Sequence, residues 1–255
     1  MLLPFAAPLH PGRLIRRYKR FLADVALETA TGDGATVTAH CPNSGAMRGL
    51  DTPGFPVWLS YTPAPHRKLP WTLEMVETPE GGLVGINTQH PNRLAAAALQ
   101  AGRIPELAGY AELRREVPYG ERSRIDLYLS RPQAAAGANA RPCVYVEIKN
   151  VHLRRLEQGD GRTAEFPDCP TARGARHLRE LMGVVSHGMR GVLLFVVQRN
   201  DCLRVRAAAD LDPAYAAALG KAAAAGVEVL AYEADLSLQG LDWGRALPVE
   251  ISTSP

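Results

Sequence analysis

Val144-Tyr-Val-Glu-Ile-Lys-Asn150 is the stretch around which the rest of the chain reads. In an extended strand, side chains two residues apart share a face. Glu147 and Lys149 therefore point one way, while Val144, Val146 and Ile148 point into packing on the other. Upstream, Arg124-Ile-Asp-Leu-Tyr-Leu129 offers a partner strand, with Ile125, Leu127 and Leu129 on one face and Asp126 and Tyr128 opposite. Pairing of the two strands would bring two carboxylates and an ammonium to one side of a sheet. Two carboxylates suffice to hold Mg²⁺, or Mn²⁺ in its place, because Mg²⁺ keeps several of its waters. The lysine can then position or help deprotonate the attacking water beside a phosphate. Asp126 and Glu147 are thus candidate metal ligands, and Asp126, Glu147 and Lys149 a candidate catalytic set for cutting a phosphodiester.

An Asp on one strand and Glu-x-Lys on the next is also the pattern of the PD-(D/E)XK nuclease-like fold. Half-exposed strands carry charges at the same spacing for no catalytic reason, so the remainder of the chain has to decide.

With 255 residues, 46% hydrophobic and 22% charged, the chain suits one large or two small globular domains and is not disordered. No run of 18 apolar residues is present, so no membrane span is expected. The apolar stretch Leu2–Leu9 is broken by prolines and precedes the basic residues, the reverse of a secretory signal, which reads as a cytoplasmic protein. Cys41, Cys143, Cys169 and Cys202 form no C-x-x-C pair, and the histidines are scattered; reduced thiols are expected rather than zinc.

The net charge of +3 is uneven. Residues 1–23 hold Arg13, Arg16, Arg17, Lys19 and Arg20 and no acid, leaving 24 basic residues against 26 acids elsewhere. Such a local excess suits a DNA-binding patch, or merely a solvated strand edge.

Residues 13–87 read as short strands bounded by Gly and Pro: Tyr18–Leu27, Thr36–His40, Pro56–Tyr61, Leu73–Glu77 and Leu83–Ile86. Their separators are Thr31-Gly-Asp-Gly34, Pro42-Asn-Ser-Gly45, Thr52-Pro-Gly54 and Pro79-Glu-Gly-Gly82. Five short strands fit a closed barrel better than a flat sheet with unpaired edges, and the OB-fold is the common five-stranded choice. Arg48, Arg67 and Lys68 are DNA-contact candidates in its loops, and Trp58, Tyr61 and Trp71 either stack on bases or fill the barrel.

From residue 88 the pattern changes. Asn92–Ala101 predicts a helix stopped at Gly102, followed by a strand near Leu113–Val117 and the Asp126 and Glu147 strands. The Ala/Gly/Pro-rich segment Ser130–Pro142 joins the last two as a mobile loop. A helix over about Thr171–His187 follows, then a strand at Gly191–Val197 whose continuous apolar run implies cover on both faces. Asp212-Pro213 starts another helix and Val227–Tyr232 is a further strand. This is the core order of the nuclease-like fold, giving an expected division into an OB-like nucleic-acid-binding domain at 1–87 and a nuclease-like domain at 88–255.

Several stretches together resemble the sugar fermentation stimulation protein A (SfsA) family: Arg17-Tyr-Lys-Arg-Phe-Leu-Ala-Asp-Val25, His40-Cys-Pro-Asn-Ser-Gly-Ala-Met47, Asn87-Thr88 with Asn92-Arg-Leu94, Arg122-Ser-Arg-Ile-Asp126, Glu147-Ile-Lys149, Phe166-Pro-Asp168 and His177-Leu-Arg-Glu-Leu-Met182. The resemblance implies an N-terminal OB-like barrel, a C-terminal PD-(D/E)XK domain, DNA binding, and a link to regulation of sugar (maltose) metabolism in bacteria. One departure stands out. Members of the wider nuclease fold often carry a further acid on the first core helix, whereas here the nearest is Glu106, beyond Gly102.

Arg122, Arg124, Arg173, Arg176 and His177 are candidates to meet phosphate near the site, and His152 and Asp168 to flank it. Two function classes follow: a Mg²⁺-dependent deoxyribonuclease, or a DNA-binding regulator that uses the fold as a platform without turnover. No glycine-rich nucleotide loop supports a sugar-metabolising enzyme. Two carboxylates repel phosphate unless a cation intervenes, which favours metal-dependent chemistry. Oligomeric state is left open by the sequence, a homodimer included.

Overall fold

The computed structural model describes residues 1–28, 34–120, 123–131, 142–157 and 160–251. Arg122, most of the Thr31–Gly34 turn and most of the Ser130–Pro142 loop lie outside the described residues. The chain opens on β1 (Leu3–Pro4), which pairs at the edge of a sheet formed much later in sequence.

Then comes the barrel: β2 (His10–Tyr18), β3 (Leu22–Leu27), β4 (Thr36–His40), β5 (Pro56–Tyr61), β6 (Trp71–Glu77) and β7 (Leu83–Gly85). The strand order is β4-β3-β2-β5-β6-β7, and the pairing of His40 with Thr72 joins β4 to β6. That contact closes a ring of five strands and leaves β7 outside it, the OB-like barrel expected. Leu14, Val25, Ala39, Val57, Leu59 and Leu73 fill the interior. The single strand expected over Tyr18–Leu27 joins the end of β2 to β3. Lys19 and Arg20, with φ of +48° and +62°, instead turn the chain sharply between two antiparallel strands. The basic N-terminal segment is therefore largely a barrel strand.

The α/β unit begins with α1 (His90–Gln100), β8 (Glu112–Tyr119), β9 (Ser123–Ser130) and β10 (Val144–Val151). Two short strands, β11 (Leu153–Arg154) and β12 (Thr163–Phe166), lead to α2 (Ala172–Ser186). After it come β13 (Arg190–Val197), β14 (Arg204–Ala207), α3 (Pro213–Ala224), β15 (Glu228–Ser237), β16 (Gly240–Ala246) and β17 (Val249–Glu250). The main sheet runs β1-β16-β15-β13-β10-β9-β8, with β10, β13 and β15 parallel. Strand β13 lies at its centre, as its apolar run demands. Val192, Leu194 and Val196 pack with Leu94, Ala95 and Ala98 of α1, while Leu193, Phe195 and Val197 pack with Leu178 and Leu181 of α2 and Leu219 of α3. A small sheet, β11-β12-β14-β17, has no counterpart in the sequence pattern, because its members are only two to four residues long.

The placement of α2 matters for function. Asp212 caps α3 by accepting the Tyr215 N–H and also accepts the Thr171 N–H, fixing the start of α2. A Cβ at Gly174 would come within 3.1 Å of the Tyr215 ring, so the two helices approach as closely as glycine allows. The cysteines are unpaired, and among the described residues no helix is long and apolar enough to cross a membrane.

Candidate functional site

Strands β9 and β10 pair through Val144–Leu129, Tyr145–Tyr128 and Val146–Leu127, and the ladder stops there. One residue further along, Asp126 and Glu147 would face each other. The Asp126 carboxylate takes the place of a strand partner: its Oδ2 accepts the Ile148 N–H at 2.7 Å, and its Oδ1 accepts from Asn92 of α1 at 2.7 Å. The break reaches β8 as well. Glu116, at the level of Asp126, has a φ of +53°, a region costly for a residue with a Cβ. Ile125 consequently packs beneath α2 and α3 while Leu127 and Leu129 pack beneath α1, so the single apolar face predicted for these three residues is divided at Asp126.

Glu147 is only 3% exposed. Its Oε1 accepts from Lys149 Nζ at 2.5 Å and from His177 Nδ1 of α2, and its Oε2 is buried with no partner. His177 Nε2 in turn accepts from Arg173 Nε at 3.3 Å, which fixes the tautomer with the proton on Nδ1. Burial pushes the Glu147 carboxyl up, but the His177 hydrogen bond and the Lys149 charge outweigh it and hold Glu147 ionised. Asp126 behaves oppositely. Burial and the adjacent Glu147 charge raise it to about 6, against the opposing pull of the Ile148 N–H, Lys149 and Asn92.

These two carboxylates line a cleft of about 400 Å³, with Arg124, Arg173, Arg176 and His177 around them and Glu116 and Ser123 completing the wall. The arrangement places two acids amid three exposed guanidinium groups. Among the described residues no group of three or more His, Cys, Asp or Glu side chains is set to hold a metal unaided. The donor set would suit a hard cation that takes one or two carboxylates and keeps its waters, and Glu147 Oε2 is a buried carboxylate oxygen without a partner.

The structure brings Asp126, Glu147 and Lys149 together with Arg124, Arg173 and Arg176, but disperses the other candidates. Arg16 is bound to the Asp24 carboxylate, and Arg17 clasps the carbonyls of Asn43, Gly45 and Ala46. Lys19 and Arg20 sit on the exposed turn, Arg48 donates to the Asp168 carbonyl, and Arg67 donates to Thr72. Lys68 is exposed, and Arg122 lies outside the described residues.

His152 and Asp168 do not line the cleft. Asp168 Oδ2 accepts the Met47 N–H at 3.0 Å, with His152 Nε2 at 3.4 Å, and so fastens the Asn43–Met47 loop of the barrel onto the α/β unit. Trp58 joins the core under α1, whereas the Tyr61 and Trp71 rings meet at 4.5 Å with a tilt of 45°, Tyr61 being exposed. Sequence reasoning misses Asn92 as the Asp126 partner and His177 as the Glu147 partner. Both lie on helices whose docking no spacing rule encodes.

Together these elements define an OB-like barrel joined to a nuclease-like α/β unit with a cleft lined by Asp126 and Glu147. Residues 15–86 match the SfsA N-terminal OB domain, and residues 89–240 match the sugar fermentation stimulation protein RE domain. The chain belongs to the sugar fermentation stimulation protein family. It is 56% identical to a sugar fermentation stimulation protein homolog of Rhodospirillum centenum, over 95% of this chain and 97% of that one. The corresponding homolog of Paramagnetospirillum magneticum is 50% identical over 97% and 98%. Among solved structures, that of Pyrococcus furiosus SfsA in complex with Ca²⁺ superposes with a TM-score of 0.83 at 26% identity, covering 98% of this chain and 99% of that one.

Proposed function

We propose that this protein binds DNA and cleaves it in a reaction that depends on Mg²⁺ or Mn²⁺ held by Asp126 and Glu147. The observation that carries this reading is the Asp126–Glu147 pair at the broken end of the β9–β10 ladder, with a buried, unpartnered carboxylate oxygen in an arginine-lined cleft. The Ca²⁺ complex of the Pyrococcus relative supports a divalent site in this fold. When bound, the cation offsets phosphate charge and makes water a better nucleophile at neutral pH. Arg124, Arg173 and Arg176 take the flanking phosphates, Asn92 and the Ile148 N–H fix the Asp126 carboxylate, and His177 and Lys149 hold Glu147 in one rotamer. In physiology the activity serves regulation of sugar metabolism, maltose included, as the family resemblance implies.

A DNA-binding regulator without turnover is the second reading. It is favoured by Lys149, whose ammonium is engaged by Glu147 and does not line the cleft. One experiment separates the two. Wild type, Asp126→Asn, Glu147→Gln and Lys149→Ala are incubated with single-stranded, duplex and branched DNA in Mg²⁺ and in Mn²⁺. Cleavage by wild type alone supports the nuclease. DNA binding with metal uptake but no cleavage leaves the platform, and neither metal binding nor cleavage sinks the metal site.

A further inference from the structure

A second polar cavity, of about 480 Å³, lies between the N-terminal segment, the barrel and α1, lined by Glu74, His90, Arg67, Arg93 and His40 among others. At its wall Glu74, 5% exposed, accepts from Ser60, from Asn87 and from His90 Nε2, the last at 2.8 Å. A carboxylate with three donors has no need of a further ligand. His90 differs: it is 8% exposed, its Nε2 is committed to Glu74, and its Nδ1 is buried without any partner. An unpaired buried ring nitrogen is costly, and the His90 ring that carries it forms part of the cavity wall.

Charge indicates what that occupant is. Arg67 is anchored by Thr72 and keeps other N–H groups unused, and exposed Arg93 has no side-chain partner among the described residues. Helix α1 starts at this wall with no side-chain N-cap and no acid in its first turn, so its positive end adds to the same field. Glu74 keeps its charge but has its oxygens engaged by Ser60, Asn87 and His90, and Arg67 and Arg93 outnumber it at the cavity wall. The size lies within the range for small-molecule sites and the position, at the junction of two folding units, is where such sites concentrate.

We propose that this cavity binds a small anion, a phosphate or carboxylate held by Arg67 and Arg93, on a molecule whose hydroxyl or amide reaches His90 Nδ1. The site is separate from the Asp126–Glu147 cleft, although α1 carries both His90 and the Asn92 that holds Asp126.

Full-length protein is titrated calorimetrically with inorganic phosphate and with glycerol 3-phosphate. Both should bind, the phosphorylated alcohol more tightly because it alone offers a hydroxyl to His90. Arg67→Gln and Arg93→Gln should each weaken both by about tenfold, the loss of one charge-assisted hydrogen bond. His90→Gln should remove the preference for glycerol 3-phosphate while sparing inorganic phosphate. Asp126→Asn should change neither affinity, so the outcome is independent of the nuclease reading. Arg93 is exposed, and its variant tests the proposal even if His90→Gln folds poorly. Failure of both probes to bind at millimolar concentration overturns the proposal, as does binding undiminished in both arginine variants. It fails too if glycerol 3-phosphate displaces an oligonucleotide and Arg93→Gln weakens DNA binding, since the cavity then belongs to the DNA track.

Discussion

Glu165 and Glu147 both lie on strands of the α/β unit and are buried alike, 2% and 3% exposed. Around Glu165 every oxygen is occupied: Arg155 donates to Oε2 at 2.5 Å and to Oε1 at 2.9 Å, and Arg206 donates to Oε1 at 2.9 Å. Arg155 also forks onto Asp210, which links β12 to the turn before α3. Glu147 faces a second acid, Asp126, and leaves Oε2 unpartnered. One carboxylate is saturated by guanidinium groups and contributes to holding the fold. The other is kept ionised yet incompletely satisfied, as the cation site proposed above would require.

The largest effect expected from this contrast is on stability. Arg155→Met should destabilise by about 3 kcal/mol, because it removes two donors from buried Glu165, leaving Oε2 unpartnered and Arg206 as its remaining guanidinium partner. Glu147→Gln should cost less than about 1 kcal/mol: it relieves repulsion with Asp126, and Lys149 can turn toward solvent. Urea unfolding of the two variants measures this directly. Equal losses would break the comparison and make Glu147 a structural acid like Glu165.

Next in size is the response to cation. Mg²⁺ at about 100 times its dissociation constant should add about 2.7 kcal/mol to wild type. The same addition should leave Asp126→Asn and Glu147→Gln unmoved, and Arg155→Met should respond as wild type does. Melting curves with and without Mg²⁺ provide the readout. A shift that persists in Asp126→Asn would place the cation elsewhere.

A third acid tests the seam between the two units. Burial pushes the Asp168 carboxyl up, but His152 and the Met47 N–H hold it well below the usual range. Asp168→Ala should cost about 2 kcal/mol by orphaning the Met47 N–H. Because the folded pKa is the lower one, this stabilisation is fully present above the unfolded value near 4 and is lost as pH falls below it. Wild type and Asp168→Ala should therefore converge in stability in acid. A constant gap from neutral to strongly acid pH would show that packing of the loop, not the carboxylate charge, carries the effect.

How far the sequence speaks depends on the range of the signal. Closure of the barrel is legible in Gly- and Pro-bounded strands such as Thr36–His40 and Pro56–Tyr61, and the centre of the main sheet in the apolar run of β13. Asp126 and Glu147 are legible as neighbours because strand alternation is local and regular. The partners that give them unequal character are not, since Asn92 and His177 arrive from helices 34 residues before Asp126 and 30 residues after Glu147. The surroundings of the N-terminal basic run are hidden for the same reason. It holds no acid itself, but antiparallel pairing sets Arg16 against Asp24.

That pairing shapes the smallest prediction, on DNA binding. Replacing Arg16 or Arg17 confounds two effects, because Arg16 neutralises Asp24 and Arg17 holds the carbonyls of the Asn43–Ala46 loop. Lys19 and Arg20 stand on an exposed turn with no side-chain partner among the described residues, so Lys19→Ala and Arg20→Ala should leave stability within about 0.5 kcal/mol. If both residues meet phosphates, the double variant should lower the log–log salt dependence of DNA binding by about 0.9 for each phosphate no longer neutralised, alike on every sequence tested. Arg173→Ala and Arg176→Ala in the cleft should lower it by a similar amount. Of these two pairs, only the cleft pair should weaken any cleavage as well, since only it lies beside Asp126 and Glu147. An unchanged slope in the turn variant would make Lys19 and Arg20 a solvated turn, and would confine the DNA track to the α/β unit.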